Sequence, residues 1–260
     1  MILTVDIGNS RVKWAQWMVE RIIDRGVVNY GAYDGMKALD KLFSSVQKPE
    51  KIFAVCVASE EMRRSLIDWV EQNWQLEVDF LKTQKRYKHI INAYQEPRQH
   101  GADRWASVVA GHQAAQDCAV CVIGAGTALT FDLIDRDGQH LGGYILPSYA
   151  SMFKALMTDT ANINIDRYER LSLSDMVDGE SEAVPVSSRD AVDRGLHKML
   201  QAAIRDICQN AKQKMGDATQ VIITGGGAKN IMRYPDMPQM QHKPDLVMQG
   251  LYSIKMQRNV

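Results

Sequence analysis

Two stretches of this chain read alike, and the likeness limits what the chain can fold into. Residues 4–15, TVDIGNSRVKWA, and 121–132, CVIGAGTALTFD, are each a strand-forming run, a turn of small residues and a second strand-forming run. Aligned, Gly8 falls on Gly126 and Ser10 lies near Thr127. Two β-branched and aromatic runs joined by so short a turn predict an antiparallel hairpin. The repeat therefore predicts an α/β chain built from a duplicated βββαβ-type unit, each copy opening on a glycine turn. A length of 260 residues suits two units of roughly 100 to 200 residues. The expected domains are residues 1–115 and 116–260.

The rest of the pattern agrees with that class. A helix is expected over GMKALDKLFSSV, then a buried strand, KIFAVCVAS, ending on Ser59, then an amphipathic helix, EEMRRSLIDWVEQNW, with an acidic first turn. Residues 84–101 lack periodicity and read as a long surface loop, and long ordered loops are often functional. His89, His100 and His112 read as loop or helix-surface residues. DRWASVVAGHQAAQ reads as a helix with Asp103 near its start, and SYASMFKALMTDTANI as another. LSLSDMVDGESEAVPVSS is polar enough to be a loop. One long helix or two close ones follow from Arg189, then a strand, TQVIITGGGAKN, emptying into three glycines, and a closing helix over PDLVMQGLYSIKM.

Composition excludes some functions. Lys plus Arg equals Asp plus Glu at 31 each, so no overall field favours nucleic acid or an anionic membrane. No stretch reaches the roughly 18 apolar residues of a membrane span, and no signal-peptide pattern opens the chain, so the expected location is the cytoplasm. Cys56, Cys118, Cys121 and Cys208 sit in or beside apolar stretches, as reduced structural thiols do.

Three glycine turns can carry chemistry. At Asp6-Ile7-Gly8-Asn9-Ser10 the glycine lets backbone approach a bulky anion, while neighbouring N–H and hydroxyl groups offer donors to phosphate oxygens. Asp6 ends a buried strand, where a carboxylate is costly unless it meets a cation or donors. Magnesium, held through water beside a nucleotide phosphate, satisfies that need, and Lys13 adds a point charge. A plain bulged hairpin is the alternative. Gly124-Ala125-Gly126-Thr127 is a second turn of phosphate size, and Thr224-Gly225-Gly226-Gly227-Ala228 either seats a nucleobase or merely needs positive φ. Neither GxGxxG nor GxxxxGK[ST] follows the first strand. The arrangement suits two phosphate hairpins facing each other across a cleft. In HGADRW, Asp103 either caps a helix or accepts a proton from a substrate hydroxyl, and Arg104 is either a surface charge or an anion clamp.

Taken together, DIGNSRVKWA, Tyr94 followed by GADRW, GTALTFD with GGYILP, SMFKAL, SSRDAVDRG, ITGGGA and PDLVMQGL resemble type III pantothenate kinases, of the acetate and sugar kinase/Hsp70/actin superfamily. The series runs in the family's order over essentially the whole chain. The resemblance implies two ribonuclease-H-like (actin-like ATPase) domains, each a mixed sheet flanked by helices. It implies transfer of the γ-phosphoryl of ATP to the 4′-hydroxyl of pantothenate, the first step of coenzyme A biosynthesis, in a homodimer whose pantothenate site is partly formed across the dimer interface. It assigns ATP binding to Asp6, Ile7, Gly8, Asn9, Ser10, Arg11, Val12, Lys13 and Thr127, with Asp6 near Mg2+. It assigns substrate binding to Tyr94, Gly101, Ala102, Asp103, Arg104 and Ser188, with Asp103 the general base. Ser188 stands where the family usually has a threonine.

Two departures matter. The family's second loop begins DxGT, and its aspartate helps bind the monovalent cation, K+ or NH4+, that these enzymes require. Here that position is Gly124, so reduced or absent potassium activation is expected, with backbone carbonyls and Asp132 as the remaining donors. The family's PG after the GG-strand is here Pro147-Ser148. The competing functions are a kinase-like regulatory or binding protein without turnover, and a kinase of another small hydroxyl substrate.

Overall fold

The computed structural model describes residues 1–30, 35–159 and 184–256. The first part opens with the meander β1 (Ile2–Ile7), β2 (Arg11–Met18) and β3 (Arg21–Asn29), continues through α1 (Gly35–Phe43) into β4 (Lys51–Cys56), and through α2 (Glu60–Trp74) into β5 (Val78–Phe80). Two short strands, β6 (Arg86–Tyr87) and β7 (Ile90–Ile91), and a 3-10 turn at Pro97–Gln99 precede α3 (Ala102–Ala114). The pattern then recurs as β8 (Val120–Ala125), β9 (Ala128–Ile134) and β10 (His140–Pro147), with α4 (Tyr149–Asp159) and α5 (Ser188–Met215) before β11 (Gln220–Thr224). A short α6 (Ala228–Ile231) leads to β12 (Gln241–His242), and α7 (Leu246–Met256) follows.

The two five-stranded sheets have one topology: β3-β2-β1-β4-β5 and β10-β9-β8-β11-β12. In the first, β1, β2 and β3 are antiparallel neighbours while β4 and β5 run parallel to β1. In the second, β8 pairs antiparallel with β9 and parallel with β11, which pairs parallel with β12. The duplicated α/β architecture read from the two hairpins is present in both sheets.

By contacts the chain divides into two compact units, Met1–Gln116 with Asp137–Gly142 and Asp245–Val260, and Asp117–Arg136 with Gly143–Pro244. The first unit thus extends beyond the expected 1–115 by taking in the turn before and the start of β10, and the C-terminal helix. α7 belongs there because its Tyr252 stacks on Trp17 (ring centroids 4.3 Å apart) and Met248 joins the same cluster. Gly250 lets α7 lie close to α3: a β-carbon there would stand 1.9 Å from the Ala106 carbonyl oxygen. Gly250→Ala must push the helices apart, so it is expected to cost about 2–3 kcal/mol and lower the melting temperature by about 5 °C or more. Thermal denaturation followed by circular dichroism measures this directly.

Strand alternation sorts the first sheet into two faces. Leu3, Val5 and Ile7 of β1, with Val12 and Trp14 of β2, pack with Leu39, Leu42 and Phe43 of α1 and with Leu66, Trp69, Val70 and Trp74 of α2. The opposite face carries Thr4 and Asp6, with Ala15 in the cluster that meets α7. α2 starts where its sequence signals a start: Ser59 accepts a hydrogen bond from the Met62 amide (3.3 Å), and Glu60 and Glu61 stand in the first turn.

Two expectations change. Residues 84–101 are not a surface loop: Tyr87, Ile90, Asn92 and His100 in that span are buried. Its order comes from long-range bonds, such as Tyr87 Oη donating to the Ser253 carbonyl (3.0 Å), and from β6 pairing with β7. His112 is buried as well, because it lies on a helix buried along Arg104–His112, and its Nε2 lies 2.9 Å from that of exposed His89. The residues after Arg189 form one helix rather than two. Of the polar run expected as a loop, residues 171–183 lie outside the described residues, as do residues 160–163 of the helix expected from Ser148.

Candidate functional site

In the first unit the candidate residues gather at the end of β1 and the start of α3. Asp6 is the penultimate residue of β1, opposite Lys13 of β2 in the antiparallel register and beside Val55 of β4. The hairpin closes with the Gly8 amide donating to the Arg11 carbonyl (3.0 Å). Tyr30 Oη, at the end of β3, donates to the Gly8 carbonyl (2.5 Å) and pins the turn from outside. Asn9, Ser10 and Arg11 are exposed at its tip, whereas Ile7 and Val12 are core residues. The last two therefore act on any ligand only through their backbone.

Asp6 is 9% exposed, and its carboxyl is pushed up from the usual range to about 7. Burial is the main cause; Lys13 opposes it and the nearby Asp103 carboxylate adds to it. A buried acid held this far from its ordinary state is a site waiting for positive charge. The residues present fit a hydrated divalent cation: one carboxylate at a strand end, with amide and hydroxyl donors on the adjoining turn for the phosphates it would accompany.

Asp103 reaches this region because α3 begins just before it. Its Oδ1 accepts from the Arg104 amide (2.8 Å), and Ser107 Oγ donates to its carbonyl (3.0 Å). Gly101 makes the carboxylate's position possible, since a β-carbon there would stand 2.7 Å from Asp103 Oδ1. Of the two readings for Arg104, a surface charge is ruled out: the residue is 7% exposed, and its Nη1 donates to Tyr94 Oη (3.1 Å). Tyr94, Asp103 and Arg104 are thus neighbours, although nothing in their spacing declared the Tyr94 to Arg104 bond.

In the second unit the second glycine turn repeats the first. The Gly126 amide donates to the Ala128 carbonyl at 3.0 Å, and Thr127 is exposed at the tip. Gly124 pairs with Thr130 across the hairpin, the place that Asp6 and Lys13 hold in the first. A β-carbon at Gly124 would lie 2.5 Å from Thr130 Oγ1, so a threonine hydroxyl fills the space of the missing side chain. Asp132, on the same face, is 1% exposed. The third turn packs against the second, with the Gly227 amide donating to the Ala125 carbonyl (3.0 Å). Ser188 is exposed as the first residue of α5, next to Ser187, whose Oγ caps the helix by accepting from the Asp190 amide (3.1 Å).

Three contributors were missed. Ser151 Oγ donates to the Thr127 carbonyl (3.1 Å), and Ser148 Oγ, 3.1 Å from Ser151 Oγ, accepts from the Ser151 amide (3.3 Å). Ser148, in place of the family's glycine, is thus a helix cap that ties α4 to the second turn; the pattern Ser-x-x-Ser after a proline was its signal. Tyr30 had no such signal, because its bond depends on the β3 register.

Residues 2–210 match the family model described as type III pantothenate kinase. The chain is 32% identical over 255 residues to the type III pantothenate kinase of Nitrosococcus oceani, covering 96% of this chain and 92% of that protein. It is 30% identical to that of Hahella chejuensis (96% and 94% covered) and 32% to that of Pseudomonas aeruginosa strain LESB58 (96% and 97%). Among solved structures, a Campylobacter jejuni protein ascribed to the Baf family of transcriptional activators superposes with a TM-score of 0.59 at 22% identity, covering 99% of this chain and 100% of that one. Component A of (R)-2-hydroxyglutaryl-CoA dehydratase from Acidaminococcus fermentans gives 0.51 at 13%, covering 98% of each. At those identities the two structures speak for the fold alone.

Proposed function

Because the chain belongs to the type III pantothenate kinase family, we propose that it transfers the γ-phosphoryl group of ATP to the 4′-hydroxyl of pantothenate, with ATP bound as its magnesium complex. The observation that carries this reading is the placement of Asp103 on the first turn of α3, close enough to Asp6 for its charge to be felt there. Phosphoryl transfer asks mostly for positioning and charge neutralisation, with a carboxylate to orient or deprotonate the attacking hydroxyl. Asp103 takes that role. Arg104, buried and held by Tyr94, holds the pantothenate carboxylate. The turn from Asp6 to Lys13 and Thr127 hold the ATP phosphates, and Ser188 contributes its hydroxyl to pantothenate. When bound, Mg2+ supplies charge neutralisation on the phosphates, and Asp6 holds it through water.

A coupled assay of ATP-dependent pantothenate phosphorylation on the wild type and on Asp103→Asn tests the reading: turnover in the first and its loss in the second supports it. Equal turnover in both, or none with pantothenate, overturns it. Neither rival, a binding protein without turnover or a kinase of another substrate, is favoured by relatives that share the kinase name along 96% of the chain. The protein acts in the cytoplasm as a homodimer, without nucleic acid or membrane partners; among the described residues no helix is long and apolar enough to cross a membrane.

The monovalent cation of the family does not fit here. Gly124 offers no carboxylate, and Thr130 Oγ1 stands where one would begin. Activity in sodium-only buffer is therefore expected to lie within about twofold of that in potassium, since a single neutral hydroxyl replaces a charged ligand. A strong potassium requirement in the same assay refutes this.

A further inference from the structure

Two histidines of the first unit have no task in the reaction as described, and both are costly to bury. His100 is 1% and His140 0% exposed, and burying an imidazole costs free energy unless its nitrogens are used. Their rings lie almost parallel to that of Tyr94. The Tyr94 and His100 centroids are 4.7 Å apart at 11°, His100 and His140 4.9 Å at 11°, and Tyr94 and His140 6.1 Å at 3°.

The backbone around the three rings is fastened by the same residues. Buried Asn92 accepts from the Tyr94 amide through Oδ1 (3.0 Å), and that oxygen lies 3.3 Å from His100 Nδ1. The Ala93 amide donates to His140 Nδ1 (3.4 Å), and Thr83 Oγ1 donates to the His100 carbonyl (2.7 Å). Tyr94 is thus held at its main chain by Asn92 and at its ring by two flat partners. Its hydroxyl is left at the point where it accepts from Arg104 Nη1. A ring free to turn about its side-chain torsions would carry that hydroxyl away and leave a buried guanidinium without one of its acceptors, which is costly in a buried site.

We propose that His100 and His140 are positioning residues for pantothenate binding: they clamp the Tyr94 ring so that its hydroxyl orients the Arg104 guanidinium toward the substrate carboxylate. This rests on the reading of Arg104 and Tyr94 as pantothenate-binding residues. A guanidinium is useful for a carboxylate only when its plane is fixed, because the bidentate contact is directional.

Steady-state kinetics on His140→Ala, His140→Phe, Tyr94→Phe, Arg104→Gln and the double variant His140→Ala/Tyr94→Phe test the proposal. His140→Ala is expected to raise KM for pantothenate about tenfold, while KM for ATP and kcat stay within about threefold, since only the clamp on one substrate is lost. His140→Phe, which keeps a flat ring, is expected to recover most of that loss. The double variant should be no worse than the poorer single one, because both act on one bond. The proposal is overturned if His140→Ala leaves KM for pantothenate unchanged. It is equally overturned if both KM values and the melting temperature change together, or if the two losses simply add. If Arg104→Gln and Tyr94→Phe leave KM for pantothenate unchanged, the binding reading itself fails and takes the clamp with it, whatever the histidine variants do.

Discussion

Asp103→Asn is expected to fold like the wild type and to lose about a thousandfold in kcat, the middle of the range for removing a general base. The fold should survive because an asparagine oxygen still accepts from the Arg104 amide as Asp103 Oδ1 does at 2.8 Å, and because Gly101 leaves the same room for an amide as for a carboxylate. The loss should fall on turnover. The amide cannot take a proton from the attacking hydroxyl, and a thousandfold corresponds to about 4 kcal/mol of barrier. KM for ATP and for pantothenate should move little, since Arg104 and the Asp6 turn are untouched. A variant within tenfold of wild-type kcat would mean that Asp103 is only a first-turn helix residue, the bland reading that its contact with the Arg104 amide also fits.

What could be read from the chain was local. Both hairpins were legible because alternation and small turn residues lie within a dozen positions, and the structure places Gly8 and Gly126 in matching turns, each amide bonded across to the returning strand. The start of α2 was legible for the same reason: Ser59 and the two glutamates are adjacent. The missing acid at Gly124 was visible too, but not the threonine hydroxyl occupying its space, which needed the cross-strand register of β8 and β9.

Residues 84–101 were misread because nothing periodic marks them. Their order comes from partners far along the chain: Ser253 for Tyr87, and His140 for Tyr94 and His100. Arg104 was ambiguous because burial of a lone arginine depends on the aromatic hydroxyl it meets, and spacing carries no trace of that. The boundary of the first unit was hidden likewise, since the stacking of Tyr252 on Trp17 joins the two ends of the sequence.

Like Asp103→Asn, Asp6→Asn should lose activity, but unlike it Asp6→Asn should make the metal-free protein more stable. In the unfolded chain this carboxyl titrates near its ordinary value of 3.8, whereas in the fold it is pushed up to about 7, chiefly by burial, against the pull of Lys13 and with a smaller push from Asp103. Between those values the folded state keeps a proton that the unfolded chain has lost, so stability falls as pH rises through that window. Above pH 7 the full cost is present, on the order of a few kcal/mol. Asparagine has no charge to desolvate. In buffer containing a chelator, Asp6→Asn is therefore expected to melt several degrees above the wild type at pH 8, with the gap falling to less than half at pH 5, where the folded wild-type carboxyl is already protonated, and closing only below the unfolded value of 3.8. Magnesium and ATP should then raise the melting temperature of the wild type at pH 8 by binding the folded state, and leave the variant nearly unmoved. Equal gaps at both pH values would show that burial of Asp6 is not what strains the end of β1. A variant stabilised by magnesium and ATP as much as the wild type would remove Asp6 from the nucleotide site.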